Sequence, residues 1–263
     1  MDKKSVKMRA IAPNYPLESH EAPRGSIEAY TLTNKSTERK AQQPEGEVPM
    51  DSSQASCLLR HGLYQFGKSV LKSGRETPYS VRLPKSPAKD LFRVLGESAW
   101  GLDQLMPLQA VHCIGIANSG ITLAEAIYGH GLKMGKDAEL SIVYPRKEEQ
   151  NLGRVSNDAT TSVLIDNAVT TGETATKVLR MISPFGHQPK VIVRIFDRED
   201  VDEDGLSIAE CIKTVNGLDV ISIFRLRDVI PHLNHLERQA VLTYQSTYGT
   251  TSFKEWMGGQ HVF

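Results

Sequence analysis

The sequence predicts an α/β fold: a mainly parallel open sheet flanked by helices, with a small N-terminal hood segment. One pattern and its repetition predict it. Residues 111–128 read as a buried strand, a loop of small residues (Ala117, Asn118, Ser119, Gly120) and an amphipathic helix, and residues 162–182 repeat that order. Apolar strand patterns at 140–144, 191–196 and 219–224 follow the same alternation with helical stretches, as crossover units on a parallel sheet do. Ligands of such sheets sit outside the carboxyl ends of the strands. The loops that follow the strands are therefore where function is sought.

The chain has 263 residues with 31 basic and 31 acidic side chains, a formal net charge of zero. That length supports one core of about 150–250 residues. Neutrality gives no bulk pull toward nucleic acid or an anionic membrane, and neither is an expected partner. Cys57, Cys113 and Cys211 are scattered without metal-ligand spacing and read as reduced thiols of a cytoplasmic protein. No apolar run reaches the ~18–20 residues of a membrane span, and no signal-peptide pattern opens the chain.

Residues 1–50 carry Pro13, Pro16, Pro23, Pro44 and Pro49 among polar residues and read as a disordered or loosely attached extension. Its basic cluster, Lys3, Lys4, Lys7 and Arg9, reads as a solvated tail. The ordered domain is expected over 51–236, followed by a C-terminal extension, 237–263, that holds Tyr244, Tyr248, Phe253 and Trp256.

Asp51, Ser52 and Ser53 are helix-start residues, and 55–66 places Leu58, Leu59, Leu63 and Phe66 on a helical face. Val70 and Leu71 read as strand, 72–75 as a polar turn, and Tyr79, Val81 and Leu83 alternate, which makes a β-hairpin with an exposed basic turn. A helix over 90–101 turns Leu91, Val94, Leu95 and Ala99 inward, and a short helix is expected at 226–233.

The chemistry concentrates in 162–182. The strand there ends at Asp166, and Thr170, Thr171 and Gly172 lead into the helix. Thr170 and Glu173 have capping-box spacing. Free N–H groups and the positive end of a helix dipole suit a phosphate, the Thr hydroxyls add donors, and Gly172 permits close approach. Asp166 stands where a ribose hydroxyl or a metal is held. An ordinary strand-to-helix turn uses the same residues, and these residues alone leave both readings open.

This stretch resembles the signature of type I phosphoribosyltransferases, which take phosphoribosyl pyrophosphate (PRPP) as donor. The resemblance implies that Asp166 and Asn167 hold the ribose hydroxyls and that Ala168, Val169, Thr170, Thr171, Gly172, Glu173 and Thr174 cradle the 5′-phosphate. It places Ser119 and Gly120 at the pyrophosphate. Lys72-Ser73-Gly74-Arg75, followed by Pro78 and Tyr79, is similar to a segment of the orotate phosphoribosyltransferases in particular, and so implies a role for Lys72 near base and PRPP. Arg146 and Lys147 resemble the start of that family's mobile catalytic loop. Arg198, in Asp197-Arg198-Glu199, resembles its reader of the orotate carboxylate, and Thr170 borders the base.

By this resemblance Lys72, Arg146, Lys147 and Asp166 are the catalytic candidates. Mg²⁺ bridges pyrophosphate and ribose oxygens, with no protein ligand assigned, and the assembly is a homodimer. The likeness spans about 55–235. The chain departs from the pattern at Asn167 (a carboxylate in the family), Ser119 (a lysine), and Gln150 and Leu152 (a lysine and a histidine), with Arg154 the remaining cation of the loop. Two readings follow. One is transfer of phosphoribosyl from PRPP to a carboxylated pyrimidine, weakened by these departures. The other is a non-catalytic subunit that binds PRPP or a nucleotide in a regulatory or structural role.

Overall fold

The computed structural model describes residues 50–71, 73–84, 87–118, 120–145, 160–167 and 172–259. The extension expected over 1–50 lies outside them except for Met50.

Helix α1 (Ser52–Arg60) starts where Asp51 predicts. Its carboxylate accepts from the Ser53 and Gln54 amides, both at 2.8 Å, while the Gln54 side chain returns to the Asp51 N–H. The helix is shorter than expected. Gly62, at φ 67°, closes it with paired bonds from the Gly62 N–H to the Leu59 carbonyl and from the Leu63 N–H to the Leu58 carbonyl. Leu63 is therefore buried in the turn, and Phe66 lies exposed on strand β1 (Tyr64–Val70) rather than on a helical face. β1 pairs antiparallel with β2 (Glu76–Val81) as a separate two-stranded sheet. Thr77 and Tyr79, on one face of β2, are buried.

The main sheet has five parallel strands: β3 (Ala110–Ile116), β4 (Asp137–Val143), β5 (Thr161–Ile165), β6 (Val191–Asp197) and β7 (Asp219–Arg225), in the order β4-β3-β5-β6-β7. Helices α2 (Lys89–Trp100), α3 (Ile121–Lys133) and α4 (Glu173–Ile182) fall close to expectation. Alternate residues of β3 serve opposite faces. Val111 and Cys113 join a core with α1, α2 and α3, whereas Ile114 and Ile116 join a second core with α4. The sheet is thus covered on both sides, as parallel sheets are.

Helix α5 (Ile208–Asn216), capped by Ser207 and Glu210 in a reciprocal box, was not expected. It closes the second core through Ile212. After α6 (Leu226–Val229) and a 3-10 turn come α7 (His235–Tyr248) and α8 (Thr251–Gly259). A boundary at 236/237 would cut α7. Val241, Tyr244 and Phe253 are buried in the first core, so these two helices are part of the domain's packing. Among the described residues the three cysteines are free, and no helix is long and apolar enough to cross a membrane.

The strand order fixes where a ligand belongs. From β3 the chain moves outward to β4, then returns to place β5 on the other side of β3. The order reverses between β3 and β5, and the crevice outside the carboxyl ends at such a reversal is where open parallel sheets take their ligands.

Candidate active site

Two loops flank that crevice. The first follows β3, where the Ala117-Asn118 peptide bond is cis, the Ala117 N–H donates to Val143 and the Gly120 N–H to Ile116, both at 2.8 Å. A Cβ on Gly120 would fall 2.1 Å from the Ile165 carbonyl oxygen and 2.9 Å from the backbone of Ile116. Only glycine fits, so this loop folds back tightly between the ends of β3 and β5. The second loop follows β5. Asp166 is buried there, its N–H donating to Val193 of β6 at 3.0 Å, and Asn167 is half-buried beside it.

Helix α4 takes Gly172 as its N-cap in the left-handed conformation, with no side-chain cap. Helical geometry begins only after the φ 78° turn at Gly172; Thr170 of the expected box lies outside the described residues. A Cβ on Gly172 would meet the Asn216 Oδ1 at 2.5 Å and Ile212 Cδ1 at 2.8 Å. Packing against α5 thus requires this glycine irrespective of any ligand. Glu173 and Thr174 are exposed on the first turn. Ser119, Ala168, Val169, Thr170 and Thr171 lie outside the described residues, as do Lys72, Arg146, Lys147, Gln150, Leu152 and Arg154.

The third part lies after β6, the strand next to β5. Arg198 is only 15% exposed; its Nη2 donates to Thr77 Oγ1 at 2.8 Å, its Nε pairs with Asp200 at 3.2 Å, and its guanidinium lies 4.2 Å above the Tyr79 ring. Burial works against the Arg198 charge, but Tyr79, Asp200 and Tyr244 more than offset it and hold its pKa above the usual arginine value. Arg75, at the end of the hairpin turn, is not an exposed cation. It donates to the Val201 carbonyl at 2.7 Å and to Asp200 at 2.9 Å, and its guanidinium lies 4.6 Å above the Tyr248 ring. The turn is closed locally by the Leu71 N–H to the Arg75 carbonyl and the Gly74 N–H to the Leu71 carbonyl, both at 2.9 Å.

Glu199 sits at φ 54° and is buried. Burial pushes its carboxyl up to about 7, although the Arg227 side chain at 2.5 Å and the Arg227 N–H at 2.8 Å oppose that rise. Tyr244 and Gln245, of the expected C-terminal extension, are also parts of this region. Their contacts span 44 to 166 positions, beyond the reach of any local pattern.

Among the described residues one group has metal-ligand composition, with Cys57, His61 and Asp90 atoms within 4.8 Å of one another. Asp90 is already engaged by Arg60 at 2.6 Å and His61 at 2.9 Å, on α1 and α2 rather than at the strand ends. At the crevice, the Asp166 carboxylate and the Asn167 amide oxygen are hard donors, a chemistry that fits Mg²⁺.

No family model matches the chain. It is similar to the orotate phosphoribosyltransferase of Cellvibrio japonicus, 29% identical over 202 residues covering 73% of this chain and 93% of the relative. It is 30% identical to that of Pyrobaculum islandicum over 187 residues, 67% of this chain and 87% of the relative. The solved orotate phosphoribosyltransferase of Francisella tularensis has the same fold, with a TM-score of 0.63 at 20% identity, covering 76% of this chain and all of that one. The structure from Aeropyrum pernix gives 0.51 at 20% identity, covering 68% and 96%.

Proposed function

The chain belongs to the orotate phosphoribosyltransferase family, and on that premise we propose that it transfers phosphoribosyl from PRPP to a carboxylated pyrimidine, orotate, releasing pyrophosphate. One observation supports this most: the two segments that set the orotate enzymes apart in sequence meet in space. Thr77, beside the hairpin motif, receives the Arg198 guanidinium across 121 positions, and Arg75 reaches Asp200 across 125.

In the reaction the C1′–O bond to pyrophosphate breaks with its electron pair leaving on oxygen. The pyrimidine ring nitrogen gives up its proton and bonds C1′, and positive charge develops on the ribose between these events. Asp166, at the reversal point of the sheet, would hold the ribose hydroxyls and place a negative charge near that centre. The folded-back loop at Gly120 would let the backbone after β3 approach the leaving pyrophosphate closely. Arg198 would orient the base through its carboxylate, since a planar guanidinium offers parallel donors. Mg²⁺, when bound, supplies charge that neutralises phosphate oxygens, and Asp166 with Asn167 would stand nearest to it. A homodimer and a cytoplasmic location belong to the same proposal.

The non-catalytic reading rests on Asn167 and on Ser119, Gln150 and Leu152, of which the last three lie outside the described residues. The orotate phosphoribosyltransferase relatives favour the transferase, which is the reading adopted. The test is orotate consumption by the purified full chain with PRPP and Mg²⁺. Turnover dependent on all three supports the proposal, and folded protein that consumes no orotate at millimolar substrate overturns it.

A further inference from the structure

Helix α7 reaches the candidate base site from behind. Asp200 is 5% exposed, and one of its oxygens, Oδ2, accepts from Arg75 Nη2 at 2.9 Å, Tyr244 Oη at 3.1 Å and Arg198 Nε at 3.2 Å. Tyr244 is on α7. The next residue, Gln245, is fully buried, and its Nε2 donates to the Arg198 carbonyl at 2.8 Å and to Tyr79 Oη at 3.3 Å. Tyr79 is the residue whose ring lies beneath the Arg198 guanidinium. The end of α7 continues the hold: Val201 donates its N–H to the Tyr248 carbonyl at 2.8 Å, and Thr250 donates to the Glu199 carbonyl at 2.8 Å. A Cβ on Gly249 would strike the Gln245 carbonyl at 2.5 Å and its Oε1 at 2.8 Å, so the chain leaves α7 by a route that keeps Gln245 in place.

Arg198 is thus fixed at both ends, its side chain through Asp200 and Tyr244 and its carbonyl through Gln245. An arginine has many rotamers, and holding one in advance removes ordering cost when a ligand arrives. We infer that Tyr244 and Gln245 are positioning residues for the base subsite: they hold Arg198 and the Arg75 end of the hairpin turn in a single geometry suited to a planar carboxylate. This rests on the proposal that Arg198 meets the base carboxylate. It adds that α7, far from the hairpin in sequence, contributes to the selection of the base.

Tyr244→Phe removes one hydroxyl and keeps the ring; Gln245→Met keeps length and burial. In the full chain, each is expected to raise the KM for orotate about tenfold, the effect of one lost net hydrogen bond, with little change in the KM for PRPP. Adding Tyr244→Phe to Arg198→Leu is expected to cost nothing more in orotate KM, because the two act through one contact. Amide hydrogen exchange over 197–201 is expected to accelerate in both single variants. An unchanged orotate KM, an equal rise in both KM values, or full additivity with Arg198→Leu would reduce α7 to packing and overturn the inference. If Arg198→Leu itself leaves the orotate KM unchanged, or the native chain does not turn over orotate, the base-site reading fails. The exchange measurement then decides the positioning claim alone, and unaltered exchange overturns it.

Discussion

The two halves of the candidate site are built differently. The phosphate half, after β3 and β5, is made of backbone, small residues and one acid, and neighbouring strand ends position it. The base half, after β6, is made of side chains from three distant stretches, β2 with its turn, residues 198–201 and α7, joined by an Asp200 carboxylate that takes three donors. The first needs only a strand, a tight turn and a helix. The second needs the whole fold in place before any of its contacts exist. Damage should therefore show as lost chemistry or local strain in the one, and as altered base affinity in the other.

The largest effect is expected in the phosphate half. Asp166→Asn keeps shape and removes charge; kcat/KM for PRPP should fall by on the order of 10²–10³, the scale of losing one preorganised electrostatic group. Steady-state kinetics with PRPP varied at saturating orotate measures it, and a loss under threefold would remove Asp166 from the chemistry.

Next comes stability. Gly120→Ala forces a methyl against main-chain atoms that cannot move aside, and urea titration should show a loss of about 3 kcal/mol, the upper range for overpacking. Gly74→Ala, in the hairpin turn at φ 85° with open space around it, should cost only about 1 kcal/mol, the strain of a left-handed residue. Equal losses would deny that the β3 loop is the tighter of the two.

A smaller, pH-dependent effect belongs to the base half. The Glu199 carboxyl is raised to about 7 from 4.5. Its contribution to stability is therefore present at acid pH and lost as pH rises through about 7. Between pH 5 and pH 8 the native chain should lose roughly 2 kcal/mol relative to Glu199→Gln. Asp197 and Arg227 face this carboxyl in both proteins, so the difference isolates it. Thermal melts across that range check the sign, and parallel pH curves would refute it.

How much of this was legible in the sequence follows the same division. The strand–loop–helix units around Gly120 and Asp166 announce themselves by apolar runs that end in small residues, and the parallel sheet follows from their repetition. The Gly62 stop of α1 was legible too, but Leu58, Leu59, Leu63 and Phe66 fit a helical face well enough to obscure it. Ser207 and Glu210 have capping-box spacing; the acidic run at Asp202, Glu203 and Asp204 makes the region read as loop, and α5 is hidden behind it. Nothing local shows that Arg75 leaves solvent to pair with Asp200, or that Tyr244 and Gln245 of an apparent tail lie under Arg198. Those contacts exist only once the β6 end, the hairpin and α7 have packed together.

The central claim is that the hairpin motif and the segment after β6 form a base subsite separate from the PRPP subsite. Measuring both KM values for Arg198→Leu tests it most directly. The account predicts a rise of about 10–100-fold in the orotate KM, the worth of hydrogen bonds to a charged group, with the PRPP KM unchanged. An equal rise in both, or none in the orotate KM, would contradict it.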